Sequence, residues 1–112
     1  KMSSNNKISE EKNKNIQELQ FLEQNIQNIF FQKQAFQMEL TETQSALREI
    51  ENSQEDAYKL IGQLMIKVPK SKIIGELSEK EKLLNLRINN LEKQEKSFSE
   101  KLEQLRGKIL NK

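Results

Sequence analysis

The chain has 112 residues, of which 34% are hydrophobic, 5% are aromatic and 32% are charged, with a net charge of +2. Its 19 basic and 17 acidic residues are interspersed along the sequence, so we expect no extended basic surface and no nucleic-acid partner. It contains no cysteine, which excludes disulfides and thiolate sites and favours a cytoplasmic protein. It also has no apolar run long enough to span a membrane, so we expect no membrane partner.

The first predicted element is a long helix at residues 8–51, after a flexible polar lead-in at residues 1–7. Its apolar residues recur at alternating steps of three and four, which keeps one narrow stripe facing a partner helix. Two polar residues, Lys33 and Thr43, interrupt the stripe. Its apolar members are Leu19, Leu22, Ile26, Ile29, Phe36, Leu40, Leu47 and Ile50. The polar residues 52–56 that follow predict a loop.

A β-hairpin is predicted at residues 57–68, where two short apolar and β-branched runs flank Gly62 and Gln63. Glycine at the first turn position permits the positive φ that a tight turn needs. With a two-residue turn, Leu60 faces Met65 and Ile61 faces Leu64. Pro69 has no amide hydrogen to donate and should end the second strand.

A second helix is predicted at residues 72–110, with Ser71 as its N-cap. Its stripe is interrupted only by Glu81 and Glu95, and its apolar members are Ile74, Leu77, Leu84, Ile88, Leu91, Phe98, Leu102, Leu105 and Ile109. We call the two stripes together the seam. The short connection makes the helices antiparallel, so the predicted fold is a mainly α single domain at residues 1–112: a two-helix coiled coil with a central β-hairpin.

In that register Leu40 lies level with Leu84, and Lys33 lies near Glu95. Two interpretations of the charged residues stay open. They form an ion pair across the seam that fixes the alignment, or each extends to solvent without coupling to the other.

The predicted hairpin has apolar side chains on both faces, and an isolated two-stranded hairpin is marginally stable in water. We therefore expect it to pair with hairpins of other subunits in a shared sheet or barrel. The alternative is that it folds back onto its own coiled coil. The residues predicted to form the oligomerisation surface are Tyr58, Leu60, Ile61, Leu64, Met65, Ile66 and Val68.

A second group of apolar residues lies near the two chain ends, mostly outside the seam. Exposed apolar groups are costly unless they bind something, so this group is predicted to hold apolar segments of other polypeptides. Its members are Ile16, Phe21, Phe30, Phe31, Ile109 and Leu110. For Ile16 and Phe30 the alternative is that they widen the seam. Met38 and Leu86 are predicted to pack between neighbouring subunits.

The sequence predicts no enzyme, no cofactor and no metal site. Histidine is absent, Asp56 is the only aspartate, and the three glycines are far apart. A nucleotide-binding loop, a zinc site or a histidine-based triad therefore cannot be assembled.

Four segments resemble β-type prefoldin subunits of archaeal character: QKQ at 32–34, ALREIE at 46–51, DAYKLIGQLMIKV at 56–68 and LRINNLEKQEK at 86–96. The resemblance implies an intersubunit β-barrel that joins two α-type and four β-type subunits in a heterohexamer. It also implies an ATP-independent chaperone, a holdase that captures unfolded polypeptides at its coiled-coil tips and delivers them to a group II chaperonin. The alternative function is a structural or tethering coiled-coil protein that oligomerises through its hairpin.

Overall fold

A computed structural model describes the backbone of residues 2–110 and the side chains of residues 6–110. The elements follow in the order α1 (Met2–Asn52), β1 (Ala57–Ile61), β2 (Leu64–Val68) and α2 (Lys70–Leu110). Two long helices with a central antiparallel hairpin confirm the predicted fold class. The joining of hairpins from several subunits stays a prediction.

Helix α1 begins at Met2, so the predicted helix start near Ile8 is wrong, whereas the flexibility of residues 2–7 stays a prediction. Lys1 lies outside the described residues. The serines and asparagines at positions 3–6 each cost only tenths of a kcal/mol relative to good helix formers. Because extending a nucleated helix is much easier than starting one, so small a cost does not stop it.

Helix α2 begins at Lys70, two residues before the predicted start, and Ser71 is not its N-cap. The carbonyl oxygen of Pro69 accepts hydrogen bonds from the backbone N–H groups of Lys72 and Ile73, at 3.1 and 3.4 Å. Proline suits a helix start because its ring fixes φ near the helical value. The first turn therefore forms directly after Pro69, and Ser71 lies inside it.

The chain divides into two compact units. The terminal unit comprises Lys1–Lys33 and Asn90–Lys112, and the hairpin unit comprises Gln34–Asn89. Whether the chain behaves as a single domain stays a prediction.

The core of each unit lies at the predicted seam. In the hairpin unit Leu40, Leu84 and Ile88 are buried together, with Phe36 packed against them. Every buried apolar residue in the described part of the chain occupies a seam position; the others are Leu22, Ile29, Leu47, Leu91 and Leu105. Each such side chain contributes about 1.5–3 kcal/mol when removed from water.

Thr43, a polar interruption of the seam, is buried as well. Its hydroxyl donates a hydrogen bond of 2.8 Å to the backbone carbonyl oxygen of Glu39, one turn earlier. A buried hydroxyl is tolerated when it is hydrogen-bonded in this way.

The hairpin has the predicted register, with Leu60 paired to Met65 and Ile61 to Leu64. Gly62 has a φ of 61°, and no other described residue has a positive φ. A positive φ at the first turn residue alone defines a type II′ turn, whose twist matches that of the paired strands.

Candidate functional site

Two exposed apolar surfaces stand out, one in each unit. The terminal surface consists of Ile16, Phe21, Phe30, Phe31, Ile109 and Leu110. The hairpin surface consists of Tyr58, Leu60, Ile61, Leu64, Met65, Ile66 and Val68. All of these side chains are exposed except Ile109 and Val68, which are partly buried.

On the terminal surface, Ile16 and Phe30 keep 42% and 47% of their area exposed. They lie two heptads apart on the same flank of α1, beside the seam. Exposures this large argue against the alternative that they widen the seam. Both residues therefore keep apolar area in contact with solvent.

The two neighbouring phenylalanines of this surface touch each other. The rings of Phe30 and Phe31 meet edge to face, with centroids 5.8 Å apart and planes at 63°. Phe31 lies on the side of α1 that faces away from the seam, and Phe21 lies on the opposite flank from Phe30. The terminal unit therefore presents aromatic groups in several directions.

A groove of about 340 Å³ lies between the two terminal segments of this unit, lined by Ile8, Glu11, Lys12, Asn15, Lys108 and Ile109. It gives Ile109 an apolar neighbour, Ile8, which is itself exposed and was not predicted as a site residue. The sequence did hold a signal for Ile8. Continuing the seam spacing backwards from Leu19 passes Asn15 and Lys12 and reaches Ile8.

The hairpin surface is the larger of the two. Its six large apolar residues from Tyr58 to Ile66 are 44% to 71% exposed. Alternation along the strands puts Leu60 and Met65 on one face and Ile61, Leu64 and Ile66 on the other. Within the described residues each strand pairs only with the other, so both outer edges keep free backbone groups.

One corner of the hairpin approaches the helices. Tyr58 lines a shallow pocket with Ile73 and Leu77, and the Lys59 ammonium lies 3.5 Å from the Glu76 carboxylate. The apolar side chains from Leu60 to Ile66 are exposed, which argues against the alternative that the hairpin folds back onto its own coiled coil.

Polar contacts hold the loop between α1 and the hairpin. The Lys70 ammonium donates a hydrogen bond to the backbone carbonyl oxygen of Ser53, whose hydroxyl accepts one from the backbone N–H of Glu55 at 3.1 Å. An ion pair of 3.1 Å joins Lys67 to Asp56. The Lys67–Asp56 pair is exposed and therefore contributes little to stability.

Ion pairs join α1 to α2 within each unit. Within the terminal unit, Lys33 Nζ lies 3.2 Å from Glu95 Oε1, and Arg106 lies 3.7 Å from Glu23. Within the hairpin unit, Lys80 lies 3.3 Å from Glu39. Of the two interpretations left open for Lys33 and Glu95, the structure favours the ion pair, and its contribution to the alignment stays a prediction.

Three off-seam residues of the hairpin unit are also exposed: Met38, Leu86 and Leu83. The packing of Met38 and Leu86 between neighbouring subunits stays a prediction. Leu83 was missed, although a leucine one position before a seam residue is visible in the sequence.

Residues 2–110 hold no group of three side chains placed to bind a metal ion. Neither of the described helices has a segment that is long and apolar enough to cross a bilayer.

The family profile of prefoldin subunits matches residues 13–112, nearly the whole chain. The chain belongs to the prefoldin family. Family membership makes it a subunit of a prefoldin chaperone, and the resemblance to prefoldin subunits is thereby confirmed.

Curated prefoldin sequences support the β type. The prefoldin subunit beta of Thermococcus kodakarensis is 45% identical over 94 residues, covering 82% of this chain and 80% of the relative. That of Pyrococcus furiosus is 40% identical over the same length, with 82% and 80% covered.

Solved prefoldin structures share the fold. The crystal structure of the prefoldin beta subunit from Thermococcus strain KS-1 superposes with a TM-score of 0.83 at 41% identity, covering 90% of each chain. The prefoldin beta2 subunit of the same strain has a TM-score of 0.67 at 21% identity and covers 78% of this chain and 95% of its own. This second likeness supports the fold alone.

Proposed function

We propose that this prefoldin subunit acts in a cytoplasmic, ATP-independent holdase, binding unfolded polypeptides on its terminal surface and delivering them to a group II chaperonin. One observation carries the proposal: large apolar side chains are exposed on the unit that contains both chain ends. A polypeptide that has not folded exposes the complementary chemistry, short apolar segments scattered along its length.

Apolar attraction has no strict directionality, so such a surface accepts many different sequences. The aromatic pair of Phe30 and Phe31 adds broad contact area at a small cost in side-chain entropy. Each contact is weak, but several copies of the surface in one assembly strengthen binding through effective concentration. Weak individual contacts also allow the client to leave without nucleotide hydrolysis.

In this proposal the hairpin surface joins the subunits, two of α type and four of β type, in a heterohexamer. Free edges on both strands let one hairpin pair with two neighbours, and repeated pairing closes a sheet into a barrel without edges. The exposed residues Leu60, Met65 and Ile66 supply the apolar area that makes such pairing favourable.

The client site is tested with the double variant Phe21→Ser and Phe31→Ser in the complex with an α-type prefoldin subunit. The assay is the aggregation of several unrelated denatured proteins, followed by light scattering with and without the complex. We expect the variant to lose most of its protection while its helicity and mass stay unchanged.

The control is Leu83→Ser, which removes an exposed apolar side chain of the hairpin unit that belongs to neither predicted surface. This control should protect clients like the native chain if it assembles with unchanged mass. Full protection by the phenylalanine variant would refute the assignment of the terminal surface. Binding to one native protein and to no unfolded client would favour the tethering function instead.

Delivery is tested by adding a group II chaperonin to the complex loaded with a labelled client. We expect the label to move to the chaperonin without ATP hydrolysis by the prefoldin complex. A client that stays on the complex while the chaperonin has free capacity would contradict the delivery step.

A further inference from the structure

A charged pair interrupts the apolar seam of the terminal unit. Lys33 and Glu95 both occupy seam positions, their ion pair measures 3.2 Å, and their side chains are only 26% and 30% exposed. Replacing such a pair with apolar residues often leaves a protein equally or more stable. Stability alone therefore does not explain a lysine and a glutamate at facing positions.

The rest of the seam does not define a unique alignment. Its apolar positions repeat every seven residues in both helices, so a slip of one heptad again brings apolar residues together. Residues 53–56 lie outside regular structure and reach at most about 14 Å when extended. A slip of one heptad needs about 10 Å, so the connection alone does not forbid it.

The charged pair does penalise a slip. Counting along the two heptad repeats, a slip in one direction places Lys33 opposite Leu102, and a slip in the other places Glu95 opposite Ile26. Either slip separates the two charges and presents a charged group to an apolar neighbour, which is far more costly than keeping the pair. The ion pair of Glu23 with Arg106 would be broken as well, but both of its side chains are about half exposed. Its contribution is therefore smaller.

We propose that Lys33 and Glu95 are positioning residues that fix the alignment of α1 and α2 in the terminal unit. The alignment decides which apolar groups lie side by side near the chain ends, including Ile8 and Ile109 across their groove. This consequence for client binding depends on the function proposed above, whereas the alignment itself does not.

Cross-linking measures the alignment directly, because the chain has no native cysteine. Glu23→Cys with Arg106→Cys reports the native alignment, since these two side chains are in contact. Glu23→Cys with Ser99→Cys reports a slip in one direction, and Phe30→Cys with Arg106→Cys reports a slip in the other. A short thiol-specific cross-linker and the ratio of native to slipped product give the readout.

In the native background only the native reporter should cross-link efficiently. In the background of Lys33→Leu with Glu95→Leu, we expect at least one slipped product to rise about tenfold, with helicity retained or increased. Exchanging the charges, Lys33→Glu with Glu95→Lys, should restore the native ratio. Glu79→Ala with Lys82→Ala is the matched control, because it removes an equal pair of charges that lies within α2 and should leave the ratio unchanged.

The proposal is overturned if the leucine variant gives only the native product, or if the exchanged pair slips as much as the leucine variant. Client protection is measured on the same variants without the cross-linking cysteines. Slipped products together with full client protection would confirm the positioning role and refute its consequence for client binding.

Discussion

Replacing Leu84 tests whether the seam holds the two helices together. This side chain is 2% exposed and packs with Leu40 and Ile88 in the buried cluster of the hairpin unit. Truncating a buried leucine to alanine loses its transfer free energy and leaves a cavity, which together cost about 2–5 kcal/mol. For Leu84→Ala we expect about 2–3 kcal/mol, because a seam between two helices can collapse more easily than the centre of a globular core.

Leu86 supplies a matched control two residues away on the same helix. It is 56% exposed, and no seam position is affected by Leu86→Ala. The free energy of unfolding should change by less than about 0.5 kcal/mol, since alanine is also a good helix former.

Both variants are measured by circular dichroism at one protomer concentration, in thermal and urea unfolding. In a chain of this size, Leu84→Ala should lower the melting temperature by about 10 °C, and Leu86→Ala should leave it nearly unchanged. Equal losses in the two variants, or a loss below about 1 kcal/mol for Leu84→Ala, would contradict the assignment of the core.

Gly62→Ala should lower the free energy of unfolding by about 1–2 kcal/mol, because φ is positive at this position. Gly75→Ala lies inside α2 and should raise the free energy of unfolding by about 0.5–1 kcal/mol. Thermal unfolding of the assembled complex compares the two variants. Thr43→Val places an apolar side chain of similar shape in the seam. Urea unfolding should show a free energy of unfolding that is unchanged or higher by up to about 1 kcal/mol. A large loss of stability would mean that the hydroxyl has a second role. Glu23→Ala breaks an exposed ion pair with Arg106 and should cost less than about 1 kcal/mol, a difference that shrinks further when the melting is repeated at high salt.

The seam and the hairpin could be predicted because their signals are local and repeated. Heptad spacing fixes which side of each helix is buried, and the structure places every buried apolar residue on that side. The register of the strands follows once Gly62 and Gln63 are taken as a two-residue turn. The contact of Lys33 with Glu95 followed from the same alignment.

The helix starts were predicted less accurately than the seam, because several weak local preferences compete at a helix start. Polar residues 3–6 indicated a lead-in, yet their cost is too small to end a growing helix. Ser71 is a favourable N-cap residue, but the Pro69 carbonyl oxygen already accepts the first helical hydrogen bonds. Ile8 was missed because two polar residues, Asn15 and Lys12, separate it from the recognised seam.

The mass of the complex with an α-type prefoldin subunit, measured by light scattering, tests most directly whether the hairpin gathers the subunits. The native chain and the Leu83→Ser control should both give the mass of a heterohexamer. Leu60→Ser with Met65→Ser removes two paired apolar side chains from the hairpin surface. Burial of each side chain in the assembly contributes about 1–2 kcal/mol, so the double variant should shift the complex to smaller species. Two results would contradict this account. One is a hairpin variant that forms a heterohexamer of unchanged stability. The other is a native chain that stays monomeric at micromolar concentration in the presence of its partner.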